Sequence, residues 1–267
     1  GGGQEQLLQQ LLAGIGSHAV QPPPVQAHSV RAVNLGSMSV RLPGGAPSLP
    51  SLWTSTDTMS EVPAERWDAQ EARRRASGAG YGGFMHGTAL FDNSFFGISP
   101  AEASVIDPLQ RLLLEHAYAA LHGSGRHKAS LMGTRTGNYV GTWQSEYGSV
   151  LASSPARDSV YAVTASSCAA LPGRLSYVLG VQGPCVSVDT ACSSALVASH
   201  GALRSVQLAD CDVAAASGVH MLLDLAVSFG FAAAGMISPT GRSYTFDVRA
   251  DGYARGEACC VTVMECD

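Results

Sequence analysis

Apolar residues recur at helical spacing in the stretch "DPLQRLLLEHAYAALHGSG", which spans residues 107–125. Asp107 is a residue type that caps helix N-termini, Pro108 suits the first helical position, and Gln110 lies where a reciprocal cap is expected. Gly123 and Gly125 follow the apolar pattern and predict its end. The stretch therefore predicts a helix with one buried face. The residues expected on that face are Leu109, Leu112, Leu113, Ala117, Ala120 and Leu121.

The chain after this helix alternates between short apolar runs and helical patterns. The predicted strands are "TGNYVGT", "CVSVD", "CDVAAASGV" and "CCVTVME", and an earlier strand is predicted at "VRAVNLGSMSV". The predicted helices are "ASSCAALPGRLSYVLG", with a break near Pro172, and "SSALVASHGALRSVQLA". Strands that alternate with helices predict an α/β fold with an open, largely parallel sheet and helices on its faces.

The composition divides the chain near residue 30. Residues 1–29 are predicted to be a linker that is mostly flexible. The prolines of "QPPPVQ" at 21–26 require an extended backbone, which is typical of a linker. Residues 30–267 have the composition of a packed domain. The sequence begins with Gly1 rather than Met and ends in the strand-like "CCVTVMECD", so we expect both ends to be cut from something longer.

Charge and hydropathy narrow the functional classes. Charged residues make up 14% of the chain and hydrophobic residues 46%, so we expect a partner subunit or another part of the protein to cover much of the surface. A net charge of -5 offers no basic field for nucleic acid. No apolar run is long enough to span a membrane, and the seven cysteines lack the spacing of a disulfide framework. These features predict a cytoplasmic protein with reduced thiols.

Two short sequence motifs are too unspecific to assign a function on their own. Gly78, Gly80 and Gly83 match G-x-G-x-x-G, but a charged helical segment precedes them instead of a strand, so a flexible turn is expected rather than a dinucleotide site. "HGTAL", which begins at His86, is a similarly short match. The chain has no C-x-x-C or H-E-x-x-H spacing, so no metal site is expected. The cysteines expected in the core are Cys168, Cys211, Cys259, Cys260 and Cys266.

Cys192 stands where the predicted strand "CVSVD" gives way to a helix. A strand, a tight turn and a helix can present a nucleophile at a sheet edge, and the helix N-terminus favours a thiolate there. Ala191, Ser193, Ser194 and Ala195 are small and leave the approach open, and the backbone N–H of Cys192 could supply half of an oxyanion hole. A buried cysteine that acts as a small hydrophobe fits the same placement, which leaves both interpretations open.

The helix after Cys192 contains one local candidate for a base, His200. Eight residues along a helix correspond to a rise of about 12 Å, so His200 is too far away to take the proton and is expected to be a core or interface histidine. The helix is apolar almost all round, which predicts burial on several sides in a central layer. Its apolar residues are Ala195, Leu196, Val197, Ala198, Ala202, Leu203 and Val206.

Several long motifs in order identify a family. "VDTACSSAL" resembles the nucleophile motif of β-ketoacyl synthases, in particular the ketosynthase domains of modular polyketide synthases. The other matching segments are "RLPGG" at 41–45, "SEVPAERWD" at 60–68, "FDNSFFGISPAEASVIDPLQRLLLE" at 91–115, "GRLSYVLGVQGPCVSVDTACSSAL" at 173–196 and "GMISPTGRSYTFDVRADGYARGE" at 235–257. The resemblance covers nearly everything after Val30.

The resemblance implies a thiolase-like fold, of which this chain would be the N-terminal half with a mixed, largely parallel sheet. It implies that Cys192 accepts an acyl chain as a thioester from the phosphopantetheine of an acyl carrier protein, with no bound cofactor. A malonyl-type extender is then decarboxylated, and its carbanion attacks the thioester in polyketide or fatty-acid synthesis. The residues that would shape the turn are Thr190, Ala191 and Ser193. The residues expected to fix loops near the site are Asp247, Asp251 and Glu257.

The resemblance also sets limits and implies partners. The family's two catalytic histidines, in an H-G-T-G-T motif and a later G-H motif, come after the region where this chain stops, so we expect no condensation from the chain alone. "HGTAL" at His86 precedes the cysteine and cannot substitute. The chain also departs from the family pattern at three single positions. Ala258 and Cys259 stand where the family usually has small residues that begin with glycine, and His220 stands where asparagine is common. The implied partners are the carrier protein, a second copy in a homodimer and other synthase domains.

Two alternatives to an active condensing enzyme remain open. One is a catalytically inactive half-domain that serves as a binding or interaction module. The other is a thiol hydrolase, which the missing local base disfavours.

Overall fold

A five-stranded sheet organises the part of the chain that the structure describes, which a computed structural model gives as residues 31–45 and 57–266. The strand order is β1, β7, β6, β4, β5. The predicted linker, residues 1–29, lies outside the described residues. The strands of this sheet are β1 (Val33–Arg41), β4 (Thr136–Gly141), β5 (Cys185–Val188), β6 (Val213–His220) and β7 (Ala258–Cys266), and β2 (Met59–Glu61) pairs with β3 (Tyr81–Gly83) in a separate ribbon.

The sheet is mixed, as the resemblance implied. Strand β4 pairs in parallel with β5 and with β6, whereas β7 pairs antiparallel with β6 and with β1. Strand β7 alone therefore runs against the other four, which confirms a largely parallel sheet. The carboxyl ends of the parallel strands β4, β5 and β6 lie at one edge of the sheet, where ligand sites of open α/β sheets form.

Helices cover both faces of the sheet, as predicted. The helices are α1 (Ala69–Arg75), α2 (Pro100–Ala103), α3 (Pro108–Gly123), α4 (Lys128–Leu131), α5 (Tyr147–Ala152), α6 (Ala162–Ala165), α7 (Ala170–Leu179), α8 (Ser194–Gln207) and α9 (Leu225–Ala233). Helices α3 and α7 bury their leucines in the larger core, together with alternate residues of β6 and β7. Helix α8 packs on the other face, where Ala198, Ala202 and Val206 contact a smaller core around Tyr139.

Helix α3 begins as predicted but is stabilised differently at Gln110. Asp107 accepts a hydrogen bond from the backbone N of Leu109 at 2.8 Å, and Pro108 occupies the first turn. The side chain of Gln110 does not return to the cap, so that prediction is wrong. Gln110 is buried, and its amide donates instead to the carbonyls of Thr164 and Ala165 at 2.9 and 2.8 Å. These carbonyls belong to the last turn of α6, where a helix leaves its final carbonyls without intrahelical partners, and the Gln110 amide satisfies them. All six predicted core residues of this helix are buried.

The buried Asp107 predicts a pH dependence of stability. Its side chain is 1% exposed, and burial raises its pKa from 3.8 to about 6 despite hydrogen bonds from Ser145 and Leu109. A carboxyl with a raised folded-state pKa contributes stability below pH 3.8 that is lost as the pH rises through about 6. Asp107→Asn keeps an N-cap residue and removes the buried charge. Relative to the wild type, we expect this variant to gain up to about 3 kcal/mol of unfolding free energy between pH 4 and pH 7.5.

Urea unfolding of both proteins across this pH range measures the difference. Curves of unfolding free energy that stay parallel from pH 4 to pH 7.5 would contradict the assignment of a raised pKa to Asp107.

The predicted helix break near Pro172 is wrong. Helix α7 runs unbroken from Ala170, with Pro172 in its first turn, where a missing N–H costs no helical hydrogen bond. The glycine motif forms a turn, as predicted, and this turn is buried. Gly78 and Gly80 are buried in a 3-10 turn, and a Cβ on Gly78 would lie 2.5 Å from the carbonyl oxygen of Ser238. These glycines permit close packing of two backbone segments.

The cysteines divide into buried and partly buried groups. Cys211 and Cys259 are buried as predicted, and burial raises the pKa of the Cys211 thiol to about 11. Cys168, Cys260 and Cys266 are half-buried. Cys266 packs against the smaller core, so the core assignment is wrong for Cys168 and Cys260. Adjacent strand residues face opposite sides of the sheet, which puts Cys259 in the α3 core and Cys260 on the α8 side.

The described residues bury only one side of helix α8. Leu196 is 74% exposed and Val197 is also exposed, whereas the sequence predicts burial on several sides. The sheet supplies one layer against this helix, and no described residue covers its outer face.

Among the described residues, no helix is long and apolar enough to cross a membrane.

Candidate active site

Cys192 lies in a tight connection between β5 and α8. Strand β5 ends at Val188, and a 3-10 turn over Ala191–Ser193 leads directly into the helix. Ala191 has φ of 56°, in the left-handed region that residues other than glycine rarely adopt. The turn thus reverses the chain abruptly just before Cys192, whose side chain is exposed. The result is the predicted strand, turn and helix with a thiol at its apex.

Local hydrogen bonds hold the turn in this conformation. The carboxylate of Asp189 accepts from the backbone N of Ala191 at 3.0 Å. The hydroxyl of Ser194 accepts from the backbone N of Thr190 at 2.8 Å and donates to the carbonyl of Ala191 at 2.7 Å. The hydroxyl of Ser193 donates to the carbonyl of Thr190 at 2.8 Å. The structure places the predicted turn residues together and adds Asp189 and Ser194, both of types that bond to nearby backbone.

Two glycines allow the start of α8 to approach the sheet. A Cβ on Gly141 of β4 would lie 2.4 Å from the carbonyl of Ser194, and one on Gly218 of β6 would lie 2.7 Å from the Cβ of Ala195. The sheet register aligns Gly141 with Gly218 and Gly218 with Cys260. Cys260 is therefore the first side chain beyond this glycine pair on the face beneath the nucleophile turn.

The close approach predicts the effect of a methyl group at Gly141. Gly141→Ala is expected to lower the unfolding free energy by about 1–3 kcal/mol, because the Cβ would overlap the backbone of α8. Gly173→Ala is the matched control, since a Cβ on Gly173 meets nothing within 4 Å in helix α7. Urea unfolding compares the two variants. Equal stability of Gly141→Ala and the control would show that α8 does not obstruct a methyl group at this position.

Cys192 opens into an apolar cavity of about 760 Å³. The floor is formed by the ends of β4, β6 and β7, and the far wall comes from α9 and the loop before β7. Trp143 and Phe231 have ring centroids 5.6 Å apart, and Phe231 and Tyr253 have centroids 6.5 Å apart. Cavities of this kind bind apolar ligands and orient them through a few polar groups.

A buried ion pair supports the cavity wall. The carboxylate of Glu146 accepts from the backbone N of Leu223 and Asp224 at 2.9 and 2.8 Å, and its other oxygen accepts from Arg255. Arg255 also donates to the hydroxyl of Ser228 at 2.9 Å. Both charged side chains are buried, and their bonds join the loop after β4, the start of α9 and the loop before β7.

His220 lies between this ion pair and the cavity. Its Nε2 is 3.4 Å from Nη2 of Arg255 and 4.0 Å from the carboxylate of Glu146. Burial lowers the pKa of His220, Arg255 lowers it further, and Glu146 opposes them. The imidazole is therefore neutral at neutral pH. The sequence motifs pointed to Cys192 but not to this cluster, apart from the departure from asparagine at position 220.

Glu257 joins three segments of the chain outside the cavity. It is buried, pairs with Arg66 at 3.0 Å, and accepts from the backbone N of Met85 and Leu222 at 2.9 and 3.0 Å. Burial raises the pKa of its carboxyl. Leu222 follows β6 closely, so Glu257 fixes a loop that leaves the cavity floor.

The remaining candidates do not line the cavity. Asp247 pairs with Arg249 at 2.9 Å on the surface, and Asp251 is exposed. Neither residue lines the cavity. His200 is exposed on α8, so a core position for it is wrong, while an interface position stays a prediction. His86 is exposed in a loop, away from the cavity.

Across residues 31–45 and 57–266, no cluster of three potential ligands could hold a metal ion.

Comparison with known proteins gives consistent matches. Residues 31–267 match the family model described as the N-terminal domain of β-ketoacyl synthase. A mycocerosic acid synthase-like polyketide synthase of Mycolicibacterium smegmatis is 41% identical over 246 residues, which cover 88% of this chain and 12% of that relative. A phenolphthiocerol/phthiocerol polyketide synthase of Mycobacterium tuberculosis is 41% identical over 252 residues, which cover 90% of this chain and 16% of that relative.

Solved structures agree with the sequence matches. A ketosynthase domain of oxazolomycin synthesis from Streptomyces albus has a TM-score of 0.80 and 31% identity, covering 88% of this chain and 42% of that chain. The ketosynthase from module 6 of the bacillaene synthase of Bacillus subtilis has a TM-score of 0.78 and 29% identity over 87% of this chain and 40% of that one. The chain thus spans less than half the length of each of these proteins. The chain belongs to the β-ketoacyl synthase family, and its fold is that of the ketosynthase domains of polyketide synthases.

Proposed function

We propose that Cys192 is the nucleophile that accepts an acyl chain for decarboxylative Claisen condensation. The observation that carries this proposal is the exposed Cys192 thiol at the start of α8, which opens into the apolar cavity of about 760 Å³. Backbone N–H groups at the start of a helix can stabilise negative charge that develops during acyl transfer, and the cavity offers room for an acyl chain.

The proposed loading step is a thioester exchange. The Cys192 sulfur attacks the carbonyl carbon of an acyl group on the phosphopantetheine of an acyl carrier protein. A sulfur–carbon bond forms at Cys192, the bond to the carrier sulfur breaks, and the carrier thiol takes the proton. The backbone N–H of Cys192 would stabilise the oxyanion of the tetrahedral intermediate. A malonyl-type extender then loses carbon dioxide, and its carbanion attacks the carbonyl carbon of the new thioester. A carbon–carbon bond forms, the bond to the Cys192 sulfur breaks, and the released thiolate takes a proton to regenerate the thiol.

The family resemblance assigns the histidines that act on the extender to segments after the matched region. We therefore expect the 267-residue chain to accept an acyl group but not to condense it. Incubation with an acyl thioester of N-acetylcysteamine, followed by intact mass measurement, tests the first step. Addition of a malonyl thioester and analysis of released product tests the second. A chain that forms no adduct would instead support the binding-module alternative.

A second copy and other synthase domains are the further proposed partners. Strand β5 is at one end of the sheet, and among the described residues it pairs only with β4. Its residues Cys185, Val186 and Ser187 are exposed. An exposed edge strand beside an exposed apolar helix face is a surface that association would cover, which supports a homodimer through this edge.

A further inference from the structure

The floor of the cavity carries one imidazole, that of His220, at the end of β6. Gly218 and His220 are two residues apart on a strand and so point to the same face. The position of a Cβ on Gly218 is 2.7 Å from Ala195, which identifies this face as the one beneath the start of α8. His220 and Cys192 therefore share the same side of the sheet, and both line the cavity.

The neighbours of His220 select one tautomer. A guanidinium only donates hydrogen bonds, so Nε2 of His220, which faces Nη2 of Arg255 at 3.4 Å, must act as the acceptor. The carboxylate of Glu146 is 4.0 Å from Nε2, beyond hydrogen-bond range. The neutral ring then carries its proton on Nδ1. No residue of the described part of the chain accepts this proton, and 29% of the side chain is exposed.

The other polar groups near His220 are already engaged. The hydroxyl of Thr142 donates to the carbonyls of Trp143 and Val219 at 2.8 and 3.0 Å. Arg255 is bonded to Glu146 and to Ser228. The Nδ1–H of His220 is thus a donor without an acceptor among the described residues, in a cavity walled mainly by aromatic and aliphatic side chains. Such a donor orients a ligand by binding an acceptor oxygen.

We propose that His220 is a specificity-determining residue that selects acyl chains with an oxygen on the third carbon, by donating a hydrogen bond from Nδ1. The inference rests on the proposed function in one respect. The thioester carbonyl oxygen is directed to the backbone N–H of Cys192, so the next oxygen of the chain is the one available to His220. A Claisen condensation leaves an oxygen on the third carbon, as a ketone or, after reduction, a hydroxyl.

Calorimetric titration with two matched ligands tests this inference. The ligands are the pantetheine amides of 3-hydroxybutyrate and butyrate, which cannot transfer their acyl groups. The wild-type chain is expected to bind the hydroxylated amide about three- to tenfold more tightly, the range of one net hydrogen bond. His220→Leu is expected to abolish this preference, and His220→Asn to retain part of it because the amide can donate.

His200→Leu is the matched control, since His200 is exposed on α8 and does not line the cavity. It is expected to keep the wild-type preference. Circular dichroism of each variant verifies that it folds. An unchanged preference in His220→Leu, equal affinities in the wild type, or no binding of either amide would overturn the inference. Acyl loading of Cys192 is measured separately, so a chain that loads without this preference contradicts only the role of His220.

Discussion

Cys192→Ala is expected to reduce covalent acyl loading by more than about a thousandfold, because removal of a nucleophile eliminates the covalent route. The sulfur of Cys192 is the exposed thiol at the start of α8, and its turn is held by bonds from Asp189 and Ser194. Intact mass measurement after incubation with an acyl N-acetylcysteamine thioester gives the rate of adduct formation for the wild type and the variant.

Cys185→Ala is the matched control for this experiment. Cys185 is also exposed and lies on β5, but it does not line the cavity. This variant is expected to load at the wild-type rate. If Cys192→Ala kept more than a tenth of the wild-type rate, or if Cys185→Ala lost loading, Cys192 would not be the acceptor.

Glu146→Gln is expected to lower the unfolding free energy by about 3–5 kcal/mol, the usual effect of removing one partner of a buried ion pair. The carboxylate neutralises the buried Arg255 and accepts two backbone hydrogen bonds at the start of α9. Glutamine has nearly the same shape but leaves the guanidinium without a counter-charge. Urea unfolding at neutral pH measures the loss.

Asp212→Asn provides the comparison with an exposed pair. Arg135 and Asp212 are 2.6 Å apart, but their side chains are 57% and 58% exposed. Exposed pairs contribute at most about 1 kcal/mol, so we expect a loss of no more than that. A loss in Glu146→Gln no greater than that in Asp212→Asn would show that the Glu146–Arg255 pair does not stabilise this fold.

Short-range sequence patterns predicted the helix start and the turn that are stabilised by contacts between residues close in sequence. Helix α3 begins at its Asp107 cap because the cap acts within one turn, and its buried face follows from helical periodicity. The turn at Cys192 was also predictable, since Asp189, Ser193 and Ser194 bond to backbone within four residues. The mixed sheet came from the family resemblance, because strand order depends on long-range pairing.

Contacts between distant residues could not be read from local patterns. Glu146 and Arg255 are 109 positions apart, and each alone is typical of a solvated surface residue. Gln110 similarly bonds to carbonyls 54 and 55 positions away instead of to its own helix cap. Only the assembled fold identifies these bonds and the place of His220 beside Cys192 in the cavity.

The exposed face of α8 shows how composition and structure can differ. Its apolar sequence predicts burial on several sides, whereas the described residues leave Leu196 exposed. An apolar face of a helix can be buried by another chain or domain as well as by residues of its own domain. The apolar sequence of α8 therefore predicts burial in the assembled protein. A ketosynthase with a homodimer partner, as proposed, would account for part of that coverage.

Peptide mapping of the acylated chain identifies the cysteine that carries the acyl group. The chain is loaded from an acyl phosphopantetheine on a carrier protein, digested, and analysed by tandem mass spectrometry to locate the acyl group among the seven cysteines. We predict that the acyl group is found on Cys192. An acyl group on Cys185 or another cysteine, with Cys192 unmodified, would show that Cys192 is not the acceptor.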